Sequence, residues 1–246
     1  MKRPCRNASQ TSIIKMRELH PIPLKTFNFN WMKNLIKIFV FVLVLAMSSE
    51  SFAQIFRAKA GLNLSTMLYK DDDGVYSDEL KMKPGFLLGA TAEFPIDEMF
   101  SFETGLLLST KGFKYDEDYV QKLNLTYLNV PLTGKAWFDV GGTKLYGLFG
   151  PYVGVGVGGK WKSEDNGNGE MGTDEDKVEW GSDAEVSDFK RFDFGLTIGA
   201  GVEISAIQIG LSYDLGLANI SPDVDNGNKV HPRVLGLSVG YKFGGK

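Results

Sequence analysis

The amino-acid sequence predicts an all-β protein, an eight-stranded antiparallel up-and-down transmembrane β-barrel. Three observations predict this fold. Apolar and polar residues alternate with a period of two in eight segments, the connections between these segments alternate between short and long, and a secretory leader precedes them. Glycine also stands out, because all 29 glycines follow residue 53 and make up about 15% of that part, against a usual share of ~7%.

The first 53 residues have the layout of a secretory leader. Ile38–Met47 is an unbroken apolar run that follows Lys33 and Lys37 and precedes the small-residue site Ser51–Ala53. The run is shorter than the ~20 apolar residues of a spanning helix. The predicted parts of the chain are an upstream extension or long basic region over 1–31, a signal peptide over 32–53, and the barrel domain over 54–246.

Charge and cysteine content exclude several classes of function. The chain after residue 53 holds 19 basic and 28 acidic residues, a net charge of −9, which argues against nucleic-acid binding. The single cysteine, Cys5, lies in the leader, so the barrel domain has no disulfide, cysteine-ligated metal or thiol nucleophile. We expect no cofactor, no metal site and no nucleic-acid partner.

Eight segments show the alternation of a strand with two different faces. In the clearest case, Phe100 and Phe102 share one face while Ser101 and Glu103 share the other. The predicted strands are Arg57–Met67, Gly85–Phe94, Phe100–Lys111, Leu123–Phe138, Leu145–Lys160, Phe192–Ile204, Ile207–Ala218 and Leu235–Phe243. The fourth strand changes frame near Tyr127–Pro131, and since proline cannot donate a ladder hydrogen bond, we expect a β-bulge there.

The connections between these strands alternate in length. Three are short, namely Pro95–Glu98, Asp139–Thr143 and Ser205–Ala206. Four are long, at about 68–83, 112–122, 161–189 and 219–232. Short turns at one end and long loops at the other are typical of an up-and-down membrane barrel.

The composition of the two faces predicts which one meets lipid. One face is rich in Phe, Leu, Val and Ile, and the other in Gly and Ser with a few charges. Eight strands leave an interior just wide enough for side chains, so a small polar interior with an apolar, lipid-facing exterior fits this geometry. A secreted lipocalin-type barrel is the soluble alternative, and it would have its bulky apolar residues inside.

Charged residues on the polar face are predicted to meet inside the barrel. Six lie near the short turns and four near the long loops: Lys59, Glu93, Glu103, Lys135, Glu203 and Lys242, then Lys111, Asp193, Asp214 and Arg233. Acids and bases balance in each group, and a buried unpaired charge is very costly. We expect an ion-pair network that fixes strand register and plugs the lumen; the alternatives are a gated channel and a proton path.

The long loops are acidic. Lys162–Asp188 holds ten acidic residues against two lysines, which is typical of a solvated extracellular loop. Divalent cations or a basic partner are the alternative ligands, although the loop lacks the register of an EF-hand.

One histidine, His231, is left in the barrel domain. Asp223 and Asp225 are close to it in sequence, and a barrel enzyme with an Asp/His pair is the alternative that this placement leaves open. His231 precedes Pro232 at a loop–strand junction, so we interpret it as a bystander and predict no catalytic residue.

The last strand carries a further signal. Its outward set is Leu235, Leu237, Val239, Tyr241 and Phe243. An alternating strand with a terminal aromatic residue resembles the signal that the barrel-assembly machinery reads on outer-membrane substrates.

Taken together, the strands resemble the PorT-like outer-membrane β-barrel family of the Bacteroidetes, over the whole domain after the leader. The matching segments are Phe102–Leu107, Tyr127–Leu132, Gly150–Gly154, Asp193–Gly195 with Gly199 and Gly201, and Leu211–Ile220. The resemblance implies an outer-membrane location and, through the name-giving member, an accessory role in type IX protein secretion.

The leading functional hypothesis is a non-enzymatic outer-membrane barrel with a structural or interaction role through its acidic extracellular loops. Secretion, a small-solute channel and a barrel enzyme are the alternatives. The expected partners are outer-membrane lipid and lipopolysaccharide, the barrel-assembly machinery during insertion, and envelope or secretion proteins, with the protein itself a monomer.

Overall fold

The computed structural model describes residues 54–76, 80–116, 119–165 and 174–243. Their strands are β1 (Ile55–Lys70), β2 (Lys83–Pro95), β3 (Phe100–Lys111), β4 (Lys114–Asp116), β5 (Tyr119–Val140), β6 (Thr143–Asp165), β7 (Asp174–Lys177), β8 (Phe192–Ile204), β9 (Ile207–Gly216) and β10 (Lys229–Phe243). A short 3-10 turn covers Asp225–Gly227. The predicted leader over 1–53 lies outside the described residues.

Eight long strands form one closed antiparallel ring. Each pairs with the next long strand along the chain, and β10 closes the ring by pairing with β1 over fifteen residue pairs, from Phe56↔Phe243 to Lys70↔Lys229. The short strands β4 and β7 extend β5 and β6 at the loop end. The predicted all-β antiparallel barrel is therefore confirmed.

The short connections lie together at one end of the barrel. β5 and β6 are joined by Gly141 and Gly142, both of which have the positive φ of a tight hairpin turn (60° and 92°). At the other end, β5 and β6 continue well beyond the predicted Leu123–Phe138 and Leu145–Lys160, to 22 and 23 residues. β5 and β6 therefore extend the barrel wall through part of the sequence that was expected to be loop.

The apolar face points outward. Along β8, Phe192, Phe194 and Ile198 are about half exposed, whereas Asp193 is fully buried inside the ring. The same alternation runs along β10, where Leu237, Val239 and Tyr241 are all more than half exposed. This arrangement is the reverse of a soluble barrel, so the lipocalin-type alternative is wrong, and the outward band is suited to lipid.

The frame change predicted in the fourth strand is wrong. β5 keeps one frame throughout, and the inward face runs from Leu123 through Tyr127 and Asn129 to Lys135. The pattern changes because the barrel interior itself is apolar at the loop end and polar at the turn end. A register irregularity does occur nearby, between Thr126 and Tyr127, and the extra residue is Val157 on β6.

Candidate functional site

An ion-pair network fills the turn end of the lumen. We call it the turn-end network, and its members are Arg57, Lys59, Glu93, Glu103, Lys135, Glu203 and Lys242. Lys59 Nζ lies 2.6 Å from Glu103 Oε1, and Lys135 Nζ lies 2.5 Å from Glu103 Oε2 and 3.2 Å from Glu93 Oε2. Because these groups come from β1, β2, β3, β5, β8 and β10, they tie together strands that are not adjacent in the ring.

Arg57 is the residue of this network that sequence reasoning missed. Its guanidinium bridges two carboxylates from different strands, with Nη1 2.5 Å from Glu93 of β2 and Nη2 2.5 Å from Glu203 of β8. Arg57 is 1% exposed and packs over the Trp137 ring. The signal was available in the sequence, since Arg57 is two residues before Lys59 and therefore shares its inward face.

Nearer the loops, a buried ion pair crosses the lumen. Lys111 Nζ lies 2.6 Å from Asp193 Oδ2, and both side chains are fully buried. The Tyr152 hydroxyl donates to the same carboxylate oxygen at 3.1 Å, and the ammonium sits over the rings of Tyr127 and Tyr152. Asp214 accepts a hydrogen bond from Thr197 Oγ1 at 2.8 Å. Lys111, Asp193 and Asp214 thus face the lumen.

Arg233 does not belong to the inward charges. It lies on the outward face of β10, one position from the inward Pro232 and Val234, and its Nη1 donates to the Tyr213 hydroxyl at 3.4 Å. Its register partners, Thr66 and Leu215, are also outward. The expectation that Arg233 balances the acids inside the lumen is therefore corrected. Counted without Arg233 and with Arg57, these lumen charges still comprise five bases and five acids.

An apolar cap, which the sequence did not predict, closes the loop end. We define the apolar cap by its buried members: Met67, Leu123, Leu125, Tyr127, Val178, Phe189, Ala218, Ile220 and Val230. Leu123, Leu125 and Tyr127 come from the barrel wall, while Val178 and Phe189 come from the long loop before β8 and Ile220 from the loop before β10. The two loops therefore fold across the barrel mouth.

Between the ion pairs lies a cavity of about 60 Å³. Its lining includes Asn129, Tyr146, Ser212 and Asp214. The volume suits a few water molecules and is too small for a metabolite. The Tyr146 side chain narrows the lumen and packs against Gly201 and Gly210. A Cβ at either glycine would lie within 2.5 Å of the Tyr146 hydroxyl, so the absence of a side chain at both positions allows this packing.

His231 lies at the loop end, beyond the apolar band. Its Nδ1 is 2.9 Å from the Ala218 carbonyl oxygen, and within the described residues no carboxylate is hydrogen-bonded to the ring. Burial lowers the pKa of His231; the hydrogen bond to Ala218 opposes this, and the positive charges of Arg233, Lys70 and Lys229 add to it. Asp223 instead accepts from the backbone N–H of Asp225, so the structure does not bring the imagined Asp/His pair together.

The acidic loops are only partly within the described residues. In the β6–β7 hairpin, Glu175 pairs with Lys160 at 3.1 Å and with Lys162, and hydrogen bonds from these two lysines lower the pKa of Glu175. Asp71 and Asp183 accept hydrogen bonds from backbone N–H groups of their own loops. Over the described ranges, no group of three acidic, histidine or cysteine side chains is placed to hold a metal ion.

The last strand presents its predicted assembly signal as one outward stripe. Leu237, Val239, Tyr241 and Phe243 are each about half exposed, and the Phe243 ring stacks on Phe56 of β1, with centroids 6.5 Å apart. Leu235 continues the stripe at the loop end of β10. Whether the assembly machinery reads this stripe stays a prediction.

A closed ring with an apolar exterior and a polar interior defines an integral membrane β-barrel. In the described part of the chain, no helix is long and apolar enough to cross a membrane. The family model for the outer membrane protein beta-barrel domain matches residues 52–221. The chain belongs to this family, and the outer membrane is its location.

Solved outer-membrane structures are similar to the chain at low identity. The attachment invasion locus protein Ail of Yersinia pestis is 18% identical, with 77% of this chain and 98% of that chain covered and a TM-score of 0.36. The outer membrane protein OprG from Pseudomonas aeruginosa is 13% identical, with 78% of this chain and 96% of that chain covered and a TM-score of 0.41. Neisserial surface protein A is 14% identical, with 78% of this chain and 97% of that chain covered and a TM-score of 0.38. Among curated proteins, none matches the chain.

Proposed function

We propose that this protein is a non-enzymatic outer-membrane barrel with a sealed lumen, which presents an acidic extracellular face to other components of the cell envelope. The observation that carries the proposal is the double closure of the lumen. The turn-end network blocks one end, the apolar cap blocks the other, and the cavity of about 60 Å³ between them is too small to carry a solute.

The sealed lumen argues against the small-solute channel. A solute would have to break ion pairs whose members are almost fully buried, such as Lys135 and Glu103, and then displace the apolar cap. Removing one partner of a buried pair costs ~3–5 kcal/mol, so spontaneous opening of the whole network would be rare.

The extracellular face supplies the interaction surface. Its described loops carry clustered acids, Asp71–Asp73 in one loop and Glu179, Asp183, Glu185 and Asp188 in another. Such a surface attracts cationic groups and repels anionic ones. We therefore place the partner-binding function in the loops and a structural function in the lumen.

Two experiments test the proposal. In planar bilayers the purified protein is expected to give no conductance steps, and steady steps of one size would contradict the sealed lumen. In a deletion strain with an envelope defect, a barrel with Asp71, Asp72 and Asp73 changed to Asn is expected to rescue poorly. The matched control is Lys111→Met with Asp193→Leu, which alters the lumen alone and is expected to rescue fully. Equal rescue by both would overturn the role of the loops.

The accessory role in protein secretion, which the resemblance to PorT-like barrels implies, is tested in the same strain. Loss of secreted cargo on deletion, restored by the wild-type barrel, would make the secretion machinery the partner.

A further inference from the structure

A groove of about 440 Å³ opens on the outer wall of the barrel at the loop end of β8. It lies between the start of β8 and the two loops that form the apolar cap. Phe192, Phe194 and Leu217 line its apolar side, and each is about half exposed on the outward face. Lys190 and Arg191 line it at the end nearer the loops.

We propose that this groove binds the phosphorylated lipid A part of lipopolysaccharide from the outer leaflet, with an acyl chain against the phenylalanines and a phosphate at Lys190 and Arg191. The inference rests on the proposed function, because it names one envelope component that the outer face of the barrel contacts and the site that contacts it.

The position of the groove selects an amphipathic occupant. Phe192 and Phe194 continue the lipid-facing band of β8, with ring centroids 6.2 Å apart. Lys190 and Arg191 precede them directly in the chain and therefore lie where the band gives way to the polar loops. Aromatic and basic residues at this level match the acyl–headgroup boundary of a bilayer.

Charge complementarity selects a phosphate-bearing lipid. The barrel domain as a whole is strongly acidic, yet the charged residues that line the groove are both basic. Among the described residues that line the groove, none is acidic. A guanidinium and an ammonium are the side chains that bind phosphate most readily.

The basic end of the groove is held in place by the apolar cap. Arg191 donates to the Gly156 carbonyl oxygen at 3.4 Å and sits over the Trp180 ring. The Lys190 backbone N–H donates to the Ile220 carbonyl oxygen at 2.8 Å, and the Tyr127 hydroxyl donates to the Lys190 carbonyl oxygen. A site fixed in this way loses little conformational entropy when a lipid binds.

The test measures lipid A binding to the full barrel domain refolded in detergent. The probes are lipid A with both phosphates and the same lipid A with its phosphates removed. We expect the phosphorylated form to bind at least about tenfold more tightly than the dephosphorylated form, because it gains a charged hydrogen bond. Lys190→Glu should weaken binding of the phosphorylated form by about the same factor, because it replaces the attraction to phosphate by repulsion. Lys177→Glu, an exposed lysine in the β6–β7 hairpin, is the matched control and is expected to bind as the wild type does.

Each contrary result is decisive. Equal binding of the two lipid forms would overturn the phosphate site, and an equal loss in Lys177→Glu would show that net charge, not the groove, governs binding. Full competition by inorganic phosphate would overturn the assignment to a lipid. Absence of lipid binding alongside a silent conductance trace would remove this inference and leave the sealed barrel standing.

Discussion

The buried pair Lys111–Asp193 allows the role of lumen charges to be tested quantitatively. Its members are fully buried and 2.6 Å apart, so at an effective dielectric constant of ~20 their mutual attraction is about 6 kcal/mol. Desolvation of both groups offsets much of this gain. Lys111→Met leaves the carboxylate with Tyr152 as its hydrogen-bond donor, and we expect the free energy of unfolding to fall by ~3–5 kcal/mol.

Removing both charges is expected to restore most of this loss. Lys111→Met with Asp193→Leu removes both members of the pair and leaves Asp214 with its hydrogen bond from Thr197, so the double variant should be closer in stability to the wild type than Lys111→Met is. The assay is urea unfolding of the refolded barrel in detergent, followed by the mobility difference between folded and heated protein on SDS gels. The coupling energy follows from the complete double-mutant cycle.

An exposed pair provides the control for this cycle. Lys160 and Glu175 are 56% and 36% exposed, so Lys160→Met should cost at most about 1 kcal/mol. A cost of less than about 1 kcal/mol for Lys111→Met, or simple additivity of the two single lumen variants, would show that the buried charges are not energetically coupled.

Three further predictions follow from the same structure. Gly201→Ala should lower the free energy of unfolding by ~1–3 kcal/mol, because its Cβ would lie 2.2 Å from the Ile209 carbonyl oxygen, whereas Gly158→Ala, with nothing within 4 Å, should be nearly neutral in the same urea assay. The β6–β7 hairpin should lose protection from hydrogen exchange below about pH 4.5. The pKa of Glu175 is lowered by its lysine partners, so its charged form stabilises the hairpin above that pH and protonation removes the ion pairs. Glu175→Gln should abolish this pH dependence. Leu125→Asp should lower the free energy of unfolding by at least ~2 kcal/mol, because Leu125 is fully buried in the apolar cap. Val157→Asp, at an exposed position of the barrel wall, should instead reduce insertion into lipid, measured as the yield of heat-modifiable protein.

The architecture of the barrel could be predicted from local alternation because each strand has one lipid-facing and one lumen-facing side. Position parity alone places Lys59, Glu103 and Lys135 inside, and the structure brings them together. The same rule places Arg57 inside and Arg233 outside, as in the structure, whereas balancing the charges of the polar face alone omits Arg57 and places Arg233 inside.

The apolar cap could not be predicted in this way. Leu123, Leu125 and Tyr127 face inward like Lys135, but an apolar inward side chain and a change of strand frame give the same sequence pattern. Val178 and Phe189 lie in a segment with no strand or helix period, so their position in the barrel mouth depends on tertiary packing with residues far away in sequence, such as Met67 and Ile220. The groove on the outer wall beside the apolar cap depends on the same packing, so the sequence pattern could not predict it either.

The accessibility of the lumen tests the sealed barrel most directly. Ser212 lines the cavity between the ion pairs, and with Cys5→Ser in place, Ser212→Cys supplies one thiol there. We expect a membrane-impermeant maleimide to leave this thiol unmodified in the folded barrel and to label it after heating in SDS. Lys177→Cys in the exposed hairpin should be labelled in both states. Rapid labelling of Ser212→Cys in the folded protein would contradict the sealed lumen and favour a water-filled path.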